Sequence, residues 1–126
     1  MHDQPDIQEL VASVRDFLRH HAMPLLKDHA AFHARVAANA LDIVERELQQ
    51  APEQNAAELK RLKNLLDQDG DLDSLNRKLC AAIRKGEMNS ETPGLIDHLW
   101  STTLAKVAVD QPKYATYKRA LEDGRV

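Results

Sequence analysis

The sequence predicts an all-α protein: an antiparallel up-and-down bundle of about five helices with a short C-terminal helix. Three observations point there. Strong helix formers (Ala, Leu, Glu, Lys, Arg and Gln) dominate the chain. Apolar side chains recur at three- and four-residue steps, and no segment carries a convincing alternating pattern. Four glycines and five prolines in 126 residues are too few for a turn-rich β sandwich. The connections are short, which favours antiparallel neighbours. At 14.2 kDa the chain has the size of one domain, expected to span residues 1–126 around one core.

Each element has a local reason. Asp6 with Glu9 has the form of a capping box and opens a helix to about residue 21. Its apolar face is Ile7, Leu10, Val11, Val14, Phe17, Leu18 and His21, and Pro24 interrupts or ends it. A second helix covers residues 30–50, followed by Pro52, and a third covers 54–66 with Leu59, Leu62 and Leu66 in line. The stretch "DQDGDLD" (67–73) reads as an acidic turn and an N-cap. A fourth helix, 72–85, buries Leu72, Leu75, Leu79 and Ile83 and stops at Gly86, where a left-handed cap is expected. Thr92 as N-cap and Pro93 at the first helical position start the fifth, which runs to Asp110 and is closed by Pro112. A short last segment puts Tyr114, Tyr117 and Leu121 on one side.

Composition excludes several function classes. A net charge of −3 gives no basic field to draw in nucleic acid or anionic lipid. Aromatic content of 4% argues further against a nucleic-acid surface. No apolar run approaches the ~18 residues of a membrane span. The N-terminus has neither the basic nor the apolar region of a signal peptide. A single cysteine, Cys80, excludes an internal disulfide and suits a reducing, cytoplasmic compartment. With no activating histidine nearby in sequence, Cys80 is expected to be a small buried hydrophobe.

The residues that invite chemistry lie in the second and fifth helices. Phe32, Val36, Ala40, Ile43 and Val44 form one arc of the second helix. His33 falls inside that arc, with Arg35 and Asn39 at its edge. Polar groups buried there would need partners, at a cost of about 1–3 kcal/mol each if left without them. In the fifth helix Leu95, Ile96, Leu99 and Thr103 define the expected core side, and Lys106 and Asp110 share it. Asp110 also lies near the helix C-terminus, where the dipole disfavours a carboxylate and a cation nearby would explain it. A polar cluster of His33, Arg35, Asn39, Lys106 and Asp110 follows. It is either a hydrogen-bond network that fixes helix register or the floor of a small anion or carboxylate pocket.

Other motifs weigh less. His29 and His33 are one turn apart, but neither H-E-x-x-H nor E-x-x-H accompanies them, so no metal site is expected. The "DQDGDLD" turn places Leu72 and Lys78 where a calcium loop needs glycine and glutamate. Arg77, Lys78, Arg84 and Lys85 read as a solvated basic face that carboxylates of a neighbouring helix can pair with. No nucleophile elbow, phosphate loop or dinucleotide fingerprint occurs, so no cofactor is expected and a self-contained enzyme is disfavoured. Trp100, Leu104 and Val107 give the fifth helix a second apolar face, suited to an interface in a homodimer.

Three stretches, "FHARVAANALDIVERE" (32–47), "LNRKLCAAIRKGE" (75–87) and "LAKVAVDQPKY" (104–114), resemble a small bacterial family known as a domain of unknown function (6285). That resemblance implies a compact helical domain with no established activity. It also implies neighbours in the genome that are acyl-CoA dehydrogenases and phosphotransferase-like kinases. The expectation is a non-catalytic accessory or interaction domain for such an enzyme. The alternative is a binder of an acyl, CoA-like or carboxylate ligand at the polar cluster.

Overall fold

A computed structural model describes residues 4–124 of the chain. Helix α1, Ile7–Phe17, begins at the expected capping box: the Glu9 amide donates to Asp6 Oδ1 and the Asp6 amide to Glu9 Oε2, both at 2.8 Å. Beyond Phe17 the chain widens into a π turn, Leu18–Ala22, and tightens into a 3-10 turn, Met23–Leu25, around Pro24. Among the described residues the regular elements are helical, with no strand, and the short C-terminal helix is present.

Helix α2, Asp28–Leu66, is one continuous element where the sequence suggests two. Pro52 lies inside it. Proline has no N–H for the carbonyl four residues back, but its ring fixes φ near the helical value. The flanking "ELQQA" and "EQNAAELK" are good helix formers without glycine, so one lost hydrogen bond does not end the helix. The chain divides into two compact units, with the boundary between Ala51 and Pro52.

In the first unit the buried positions of α2 are Ala34 and Ala38, not the expected arc, of which Phe32 and Val36 are exposed. Ala34, Ala38, Asp42 and Glu45 recur at four- and three-residue steps and form one stripe of α2. That stripe faces α1 and the π turn after it, because Arg15 of α1 pairs with Glu45 and Arg19 of the π turn pairs with Asp42. Alanine allows close approach, and the charged ends fill the remainder.

The second unit has the apolar core. Leu62 of α2, Leu75 and Leu79 of α3 (Leu72–Arg84) and Leu95 of α4 (Leu95–Asp110) pack together, flanked by Leu59, Leu65, Leu66, Leu72 and Met88. Asp71 caps α3 by accepting from the Ser74 amide at 2.8 Å. Gly86, at φ 74°, closes α3 in a Schellman arrangement: its amide donates to the Ile83 carbonyl and that of Glu87 to Ala82. Ile83, expected inside, is 39% exposed, and Cys80 is exposed too, because α3 buries only the stripe through Leu75 and Leu79.

Helix α4 starts later than expected. Its N-cap is Gly94, at φ 80°, and Thr92 instead accepts from the Asn89 amide in the preceding turn. The Pro93-Gly94 pair forms a turn that only glycine enters without strain, so the helix begins after it. Helix α5, Ala115–Glu122, contacts α4 and buries Ala120, while Tyr114 and Leu121 stay exposed. No helix among the described residues is long and apolar enough to cross a membrane.

Leu62→Ala is expected to lower the unfolding free energy by about 2–5 kcal/mol in urea denaturation, since a fully enclosed leucine leaves a cavity. Leu25→Ala, at a side chain 84% exposed, is expected to cost less than about 1 kcal/mol.

Candidate functional site

Two places in the molecule depart from what stability alone dictates. The first is α1. Its Arg15, and Arg19 one turn on in the π turn, are turned to α2 and meet Glu45 and Asp42, and Arg19 also donates to Asn39 Oδ1 at 3.2 Å. Ile7, Leu10, Val14 and Phe17 lie well round the helix from those arginines at about 100° per residue. They are between 51% and 61% exposed, and α1 buries no residue. The helix therefore shows solvent the face it would normally hide.

The second is a cleft of about 290 Å³ in the second unit. Arg61 and Asn64 of α2 line it together with Gly94, Asp97, His98 and Ser101, which share one face at the start of α4. His98 is 3% exposed, and its Nδ1 is buried without a hydrogen-bond partner. Arg61 Nη2 donates to Thr102 Oγ1 at 3.3 Å, but Arg61 Nε is likewise buried and unpartnered. A buried donor or acceptor without a partner costs about 1–3 kcal/mol. Asp97 lies in the first turn of α4, where the helix dipole favours a carboxylate. It forms no ion pair with Arg61 across the cleft within 4.0 Å.

The five residues that the sequence singled out are all exposed. His33, Arg35 and Asn39 belong to the first unit, and Lys106 and Asp110 to the second. None carries the desolvation cost that motivated pairing them. His33 makes an edge contact with the Phe32 ring, and Asn39 accepts from Arg19. The expected core side of α4 holds for Leu95 and is corrected for Ile96 and Leu99. Ile96 and Leu99 face outward, and the buried stripe is Leu95, His98, Leu104, Ala108 and Val109. Apolar residues surround this helix, so hydrophobicity could not choose between its sides. Of the expected interface residues, Trp100 is 40% exposed and Val107 half-buried, whereas Leu104 is 4% exposed and belongs to the interior.

His98 and Arg61 were missed, although a signal existed. His98 is spaced three residues after Leu95 in a mostly apolar helix, and Arg61 sits beside Leu62 in the leucine line. The remaining charged motifs are occupied locally. Asp69 pairs with Lys63 at 2.9 Å, Arg77 with Asp73 at 3.0 Å, and Lys78 donates to Gln68 Oε1 at 2.7 Å. Among the described residues no group of three or more His, Cys, Asp or Glu side chains could hold a metal ion.

Burial, and then the Arg61 charge, hold the His98 imidazole below the ordinary histidine range, while Glu58 opposes them. The unfolded chain, with an ordinary imidazole near 6.5, then takes up a proton more readily than the folded one. The contribution is intact above the unfolded value and is lost as pH falls from there through the folded value. In His98→Gln, the loss of unfolding free energy between about pH 7 and about pH 5.5 is expected to be smaller than in the parent, by urea titration at both values.

No curated protein and no solved structure matches the chain. A family profile does match, over residues 24–114, which takes in α2, α3, α4 and the second unit's cleft. The chain belongs to the family described as Domain of unknown function (DUF6285).

Proposed function

We propose that this protein is a non-catalytic interaction domain that associates with a second copy of itself through α1. One observation supports the reading above all: the exposure of α1, whose Arg15 pairs within its own unit while Ile7, Leu10, Val14 and Phe17 meet water. Ile7, Leu10, Val14 and Phe17 follow three-four-three spacing, the seam that packs against a helix of matching spacing. A two-fold partner presents that spacing automatically, because an isologous contact uses the same patch twice. Four half-exposed apolar side chains on one stripe also form the kind of contiguous patch that marks interaction surfaces. The pair is proposed to serve as accessory to a metabolic enzyme, with an acyl-CoA dehydrogenase or a phosphotransferase-like kinase as the class implied by the resemblance.

Light scattering on the eluting protein is expected to give the mass of two chains. Leu10→Glu with Val14→Glu is expected to give one chain with unchanged helical circular dichroism, since both positions are exposed. A one-chain mass for the parent at the highest soluble concentration would overturn the self-association. Co-expression with a tagged dehydrogenase or kinase then tests the accessory role, and the absence of co-purification with either counts against it.

A further inference from the structure

A groove of about 530 Å³ runs beside α3 in the second unit, within the ~300–1,000 Å³ usual for small-molecule sites. On α3 and its C-cap, Ala81, Ala82 and Lys85 follow Lys78 by three, four and seven residues, so the four share one side. Seven residues of helix separate the two lysines by roughly 10 Å along the axis. The alanines between them leave room. Leu65 and Leu66 from the end of α2 line the groove as well. So does Met88, whose amide reaches back to the Ala82 carbonyl at 3.4 Å. All three are half-buried side chains packed on the leucine core. Their remaining apolar surface meets water, and a hydrocarbon laid over it would remove it.

The two lysines are not equivalent. Lys85 has Glu87 at 3.8 Å. Among the described residues Lys78 has no carboxylate within 4.0 Å, and its Nζ donates to Gln68 Oε1 at 2.7 Å. A neutral amide leaves the ammonium charge uncompensated. With the Gln68 oxygen so used, the side-chain NH2 of Gln68 is left to donate beside Lys78. Both side chains are exposed, so a ligand oxygen reaches them without displacing packed atoms. Two neighbouring donors, one of them charged, suit the two oxygens of a carboxylate. The adjoining turn does not cancel this charge: Asp69 pairs with Lys63, Asp71 caps α3 and Asp73 pairs with Arg77.

We propose that the groove between the end of α2 and α3 binds a medium-chain monocarboxylate. Its carboxylate rests on Lys78 and Gln68, and its hydrocarbon chain lies against Leu65, Leu66 and Met88. A small anion gains only the first contact and an uncharged chain only the second, so the site selects molecules that carry both.

The test uses the full chain with isotope-labelled methionine methyl groups, titrated with octanoate, 1-octanol and acetate below micelle formation. The chain has three methionines, and the Met88 signal is assigned by its loss in Met88→Leu. Octanoate is expected to move the Met88 signal saturably, with octanol several-fold weaker and acetate without effect. Lys78→Gln, at an exposed position, is expected to weaken octanoate several-fold and leave octanol as it was. Lys85→Gln is expected to change octanoate by no more than about twofold, because an exposed, already paired lysine contributes little. Movement of Met1 or Met23 without Met88 places the chain on another apolar surface and overturns the proposal. So does the absence of saturable movement, octanol binding as tightly as octanoate, or an equal loss in the two lysine variants.

Discussion

Both units draw on one helix. Helix α2 supplies Ala34 and Ala38 to the interior of the first unit and Leu62 to that of the second. The continuity of α2 through Pro52, one donor short of a full ladder, is therefore the constraint on which the remaining packing is built. A break there would separate the stripe that receives Arg15 and Arg19 from the leucine line that α3 and α4 cover. Proline is tolerated because only one donor is missing from a helix of 39 residues.

The two interiors differ in kind. Alanines and guanidinium–carboxylate pairs hold the first, and leucines from three helices hold the second. This difference explains the surfaces each leaves. Where charges do the joining, apolar side chains are free to point outward, as on α1. Where leucines do the joining, a polar side chain caught among them, such as His98, is conspicuous.

Features that depend on near neighbours in the chain were legible in the sequence. The Asp6–Glu9 box, the Asp71 cap and the Gly86 closure each need residues only three or four positions apart. The all-helical class followed from composition and period. Choice of helix face was not legible, because it depends on which distant segment lies alongside. Phe32 and Val36 lost the interior to Ala34 and Ala38 through ion pairs that no periodicity shows. In α4 every side is apolar enough to be inside, and Ile96 and Leu99 lost it to His98 and Leu104. The start of α4 failed for a local reason: the Pro93-Gly94 turn outranked a good N-cap signal. Arg61 went unnoticed because a long aliphatic stem lets arginine share a leucine face with its charge at the edge.

The chemistry of the first interior has a consequence for how the molecule responds to its surroundings. Partly exposed ion pairs weaken as dissolved electrolyte shortens the range of their attraction, whereas burial of leucine does not. Strong brine thus loosens the hold of Arg15 and Arg19 on α2, while the leucine-packed end of that helix keeps its grip.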